Sequence, residues 1–70
     1  MISNYDRIIE ITNQITSEHT IRKTQALMVA AARVDQKIYT WLVSQGLDSL
    51  VYEAASFEVT IDHLKKYLLK

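Results

Sequence analysis

Residues able to do chemistry are few and scattered in this sequence. Glu58, Asp62 and His63 are the one grouping of metal-ligating types within one or two helical turns. Glu58 and Asp62, four apart, share a helix face, but His63 points about 100° away from it. The Glu-x-x-His pair of di-iron bundles does not occur. His63 therefore reads as a surface histidine, and His19 falls in a polar stretch where such residues are expected. The absence of cysteine excludes thiolate metal sites, disulfides and a cysteine nucleophile. Ser17 lies near His19, but no glycine-rich elbow or oxyanion-hole loop accompanies the pair. With Gly46 as its single glycine, the chain has few ways to build a concave pocket or a phosphate-binding loop. The expectation is a protein that is not an enzyme and uses no metal and no cofactor.

Composition points to what such a chain does instead. A chain of 70 residues buries about 60% of the surface its unfolded form exposes, and its core supplies roughly 3–5 kcal/mol unaided. Without disulfides or a metal, the usual remaining support is another protein chain. An apolar fraction of 49% is that of a folded domain. A formal net charge of zero argues against general binding to nucleic acid or to anionic membranes. It also leaves little repulsion to oppose self-association. No signal peptide is visible at Met1-Ile2-Ser3-Asn4. The longest apolar run, Ala26 to Ala32, is too short to cross a bilayer. A cytoplasmic protein without membrane contact is expected.

The elements that must position any functional residue are helices. Proline is absent, and turns of β folds lean on proline and glycine. Helix 1 is expected at about 4–16, with Ser3 as N-cap and Asp6 near the positive end of the dipole. Tyr5, Ile8, Thr12 and Ile15 share its inner face, flanked by Ile9 and Ile11. The β-branched content leaves a short strand at 7–12 as the alternative. The polar run from Thr16 to Thr20 is the first break, with Thr16 or Ser17 as the next cap. Helix 2 is expected at about 18–45, some 40 Å long, ending at Gly46 in the left-handed conformation. Helix 3 follows at about 49–69 from an Asp48 cap. Leu47, Leu50, Ala54, Phe57, Ile61, Leu64 and Leu68 form a heptad seam along it. Val59-Thr60 is a candidate kink.

Helix 2 carries the functional expectation. One stripe contains Leu27, Ala31, Val34, Ile38 and Trp41. A second contains Ile21, Met28, Ala31 and Leu42, interrupted by Asp35. A third contains Val29, Ala32, Tyr39 and Val43, broken by Gln36. A helix apolar nearly all round needs burial nearly all round, and two neighbours from the same short chain do not supply it. A second chain would cover the remainder, and Ala26, Ala30, Ala31 and Ala32 would let its backbone approach closely. Asp35 is read as facing solvent near Arg33 or Lys37. Val29, Ala32, Tyr39, Trp41 and Val43, with Arg33 and Lys37 at the rim, are the expected interface residues. Tyr52, Val59 and Tyr67 on helix 3 are a weaker second surface.

Residues 25–42 also loosely resemble a helix-turn-helix. The Val34, Ile38 and Trp41 side would pack inward, leaving Arg33, Gln36, Lys37 and Thr40 to face bases or phosphates. Segment 20–45 holds four basic residues, Arg22, Lys23, Arg33 and Lys37, against one acid, Asp35. The glycine usual at the turn is missing, however, and Ala30-Ala31-Ala32 favours unbroken helix there.

The fold expected is all-α, a three-helix bundle with a long central helix that assembles as a helical homodimer. The function expected is that of a small regulatory or adaptor protein acting through helix-mediated protein–protein interaction and self-association, with a partner whose identity the sequence does not give. A small DNA-binding transcriptional regulator is the alternative.

Overall fold

The computed structural model describes residues 3–45 and 53–69. Among these the chain forms four helices and no strand: α1 (Asn4–Glu18), α2 (Lys23–Val34), α3 (Gln36–Ser44) and α4 (Glu53–Leu68).

α1 starts where its cap requires. Ser3 is extended, and its Oγ accepts the Asp6 N–H at 3.1 Å, satisfying one of the donors that a helix start leaves free. Ile8, Thr12 and Ile15 are buried at helical spacing, and Tyr5, Ile9 and Ile11 pack half-exposed beside the core. The inner face is thus the one the apolar spacing indicates. The β-branched residues do not divert the segment into a strand, because burial along one helical stripe outweighs a small propensity difference. Thr12 donates its hydroxyl to the Ile8 carbonyl at 2.7 Å and is buried without an unsatisfied oxygen.

The first break comes slightly later than the polar run suggests. Thr16 and Ser17 do not cap a following helix. Their hydroxyls turn back onto the Asn13 and Gln14 carbonyls, at 3.1 and 2.9 Å. Backbone bonds from His19 to Ile15 and from Ile21 to His19 then close the α1 end and the connection. Arg22 precedes α2 with no side-chain cap of its own.

The continuous helix expected over 18–45 begins only at Lys23 and is two helices. Asp35, extended at φ −162° and ψ 119°, ends α2 and caps α3. Its carboxylate accepts the Lys37 N–H at 2.9 Å. Aspartate competes with the helix by bonding nearby backbone donors, so it favours caps over helix interiors. The gain is in burial. A straight helix of some 40 Å would overrun a molecule whose longest extent is 29 Å, whereas two short helices fold back on one core.

α2 is the hub. It packs against α1, α3 and α4, while α1–α4 and α3–α4 meet over fewer residues. Thr24, Ala26, Leu27, Met28, Ala30 and Ala31 are buried, covering most of its circumference. Lys23, Gln25, Val29 and Arg33 are its exposed residues, the last three a strip at four-residue spacing. The alanines do admit close-packed helices, and those helices are α1, α3 and α4 of the same chain. Ile8, Leu27, Met28, Ala30, Ala31, Ile38, Leu42 and Leu64 form one cluster fed by all four helices.

α4 runs unbroken through Val59-Thr60. Its buried line passes through Thr60 and Leu64, with Phe57, Ile61, Tyr67 and Leu68 half-buried around it. Lys65 and Lys66 complement the negative end of its dipole. The expected Gly46 turn, Asp48 cap and seam residues Leu47 and Leu50 lie outside the described residues, as does Tyr52.

Candidate interaction surface

The interface residues expected from the sequence fall into separate groups because the Asp35 joint divides them. Val29, Ala32 and Arg33 lie on one side of α2, Ala32 and Arg33 being three and four residues after Val29. Val29 is 38% exposed, Arg33 is exposed and Ala32 half-buried. On α3, Tyr39 and Val43 are one turn apart, both half-buried and packed at the edge of the core. Lys37 and Trp41 form a second one-turn pair on α3, about 160° around the helix from Tyr39 and Val43. Lys37 is exposed and Trp41 half-buried.

Trp41 has neighbours within the chain. Its ring stacks on Tyr67 of α4, with centroids 4.4 Å apart and planes 19° from parallel. His63 lies 6.3 Å away, tilted by 50°. The His63 Nδ1 is 2.9 Å from the Val59 carbonyl oxygen, a contact that requires the proton on Nδ1. This aromatic cluster was not foreseen from the sequence. The signal available was the four-residue spacing of Val59, His63 and Tyr67, which places them on one helix face toward the single tryptophan. Val59, at the outer end of that row, is exposed.

Two further ring contacts tie surface cations to half-buried aromatics. Lys23 Nζ lies 6.0 Å from the Phe57 ring centroid, and Lys65 Nζ 6.0 Å from that of Tyr5. Both are at the outer limit of a cation–π contact. They join the start of α2 to α4, and α1 to the end of α4.

The residues considered for other chemistry are spread out. His19, Ser17, Glu58 and Asp62 are exposed. No group of three His, Asp or Glu side chains comes together among the described residues, and no described helix is long and apolar enough to cross a membrane. Arg33, Gln36, Lys37 and Thr40 are exposed around the α2–α3 joint, and Ile38 and Leu42 are buried. The joint itself is the single residue Asp35, where a helix-turn-helix has a turn of three or four residues.

No protein-family model matches the chain, and neither a curated protein nor a solved structure matches it.

Proposed function

We propose that this protein is not an enzyme and acts as a small regulatory or adaptor module by contact with other protein chains, its own copies included. A cytoplasmic setting belongs to the same proposal. The observation that supports it best is the rim of the core. Tyr39, Trp41 and Val43 on one short helix are only half-covered by their own chain, and Val29 stands exposed between the polar residues Gln25 and Arg33. Aromatic and arginine side chains at a partly desolvated rim are those that interfaces use most.

Sedimentation across the micromolar range tests the reading. Wild type should associate, and Val29→Asp, at an exposed position, should weaken association while far-UV circular dichroism stays native. Tyr39→Asp and Val43→Asp should act in the same direction and also lower stability, because both side chains touch the core. A wild type that stays monomeric, with Tyr39→Asp and Val43→Asp leaving it unaltered, would overturn the reading.

A second reading, nucleic-acid binding, is favoured by the joint exposure of Arg33, Gln36, Lys37 and Thr40. The one-residue joint and the zero net charge weigh against it. Replacing Arg33 and Lys37 together by alanine should abolish a salt-sensitive DNA mobility shift if this reading holds, with fold and association unchanged.

A further inference from the structure

We propose that the Asp35 joint is a hinge through which the chain exchanges its α3–α4 half with a second copy of itself, giving a domain-swapped dimer. The surface involved is the buried core, so this goes beyond the rim contact above and does not depend on it.

The joint is one residue long, and its surroundings favour helix. No glycine or proline lies between Lys23 and Ser44, and Ala30, Ala31 and Ala32, strong helix formers, lead into it. Asp35 already makes a helical bond, its N–H donating to the Ala31 carbonyl at 2.9 Å. The bent form holds the next donors by other means. Lys37 N–H goes to the Asp35 carboxylate, and Ile38 N–H to the Asp35 carbonyl, each at 2.9 Å. Moving one residue from extended to helical dihedrals replaces these with ordinary helical bonds and joins α2 to α3.

The joined helix, Lys23 to Ser44, would be about 33 Å long. Along its longest principal axis the folded chain extends 29 Å. Straightening swings α3, which packs back against α2 in the bent form, off that helix, and α4 goes with it as the next element of the chain. Exchange of α3 and α4 as one half keeps the stacking of Trp41 on Tyr67, and the contacts of α4 with α1 and α2 are re-formed on the second copy. Opening separates Ile8, Leu27, Met28, Ala30 and Ala31 from Ile38, Leu42 and Leu64, which share one cluster in the closed chain. A second opened copy offers each half the complement it has lost, in the geometry it already fits. The exchange is reciprocal and closes as a dimer. Short hinge connections are where such exchange arises.

Two substitutions act on the hinge in opposite senses. Asp35→Ala removes the carboxylate cap and places the best helix former at the joint, so it should tighten the dimer about tenfold or more. Gln36→Pro should lock the bent form. Residue 36 is the first of α3, where proline is favoured, and the extended Asp35 suits the position before proline. In the joined helix that proline would lose the bond to the Ala32 carbonyl and clash with it. Sedimentation equilibrium should give a dimer for Asp35→Ala and a monomer for the double variant with Gln36→Pro. A dimer that persists in the double variant, or a natively helical Asp35→Ala that stays monomeric, overturns the proposal. If Asp35→Ala does not fold, wild type and Gln36→Pro are refolded from urea at high concentration. A dimer fraction in wild type alone supports the hinge, whereas equal fractions, or none in either, overturn it. Val29→Asp separates this from the rim contact, because it should weaken a side-by-side dimer and leave a swapped one intact.

Discussion

At the scale of residues, burial divides the apolar side chains into those that hold the fold and those free to do something else. Leu27 is fully buried on the hub helix, so Leu27→Ala should leave a cavity and cost about 2–5 kcal/mol in urea unfolding, a large share of what so small a chain has. Ser3→Ala removes the α1 cap and should cost about 1 kcal/mol by the same measurement. Val29→Asp, at an exposed site, should change stability by no more than about 0.5 kcal/mol, which makes it the cleaner probe of association. Thr12 is buried with its hydroxyl on the Ile8 carbonyl. That carbonyl also accepts a helical bond, so Thr12→Val should be close to neutral in the same unfolding experiment. A loss above about 2 kcal/mol would mean that the hydroxyl does more.

At the scale of elements, α1 was largely legible from sequence: Ser3 as its cap and Ile8, Thr12 and Ile15 on its inner face, with Tyr5 only half-buried beside them and the end at Glu18 rather than about 16. These are local signals, and burial agrees with the inner face. The break at Asp35 was hidden because local propensity and packing disagree there. Ala30-Ala31-Ala32, with no glycine or proline nearby, argues for continuity, and only the requirement to cover two apolar faces with one small chain argues for the bend. The trace of it was present. Asp35 interrupts the Met28–Ala31–Leu42 stripe, and aspartate is a strong N-cap. Apart from Ile21, which precedes α2, and Val29, which is exposed, the three stripes assigned to one long helix fall on two helices that meet a single core. On α4, Leu64 of the expected seam is fully buried, but Ile61 is only half-buried and Thr60 beside it takes the core position. A threonine can occupy such a position because its hydroxyl, buried in a helix, can bond a nearby backbone carbonyl. Of the seven residues expected at an interface, Tyr39, Trp41 and Val43 pack at the edge of the core, Val29, Arg33 and Lys37 are exposed and Ala32 is half-buried, and the Asp35 bend that divides them was not foreseen. Gln36→Pro should raise stability by about 0.4–1 kcal/mol, since it restricts the unfolded chain at a site whose folded backbone already suits proline. A destabilised Gln36→Pro would show that the α3 start is held differently.

At the scale of the whole molecule, the chain is as compact as a folded chain of its length should be. Its radius of gyration is 11.0 Å, against about 11 Å expected. Its accessible surface is 4741 Å², against about 4,500 Å² for a monomer of this mass. The apolar surface that a single long helix would leave over is largely taken up by the core on which both α2 and α3 pack, and the proposed contact with partners is left to the rim or to exchange through the hinge. With zero net charge, self-association by either route should change little between low and high salt, whereas nucleic-acid binding should fall steeply. Sedimentation and mobility shift over a salt series measure both. The stacking of Trp41 on Tyr67 has an optical consequence. The chain contains one tryptophan, so its intrinsic fluorescence reports a single place, the seam between α3 and α4. Exchange at the hinge moves those two helices together and should leave the emission maximum where it is. Unfolding parts the rings and should shift emission to the red. One cuvette measurement thereby distinguishes a chain that has opened from a chain that has come apart.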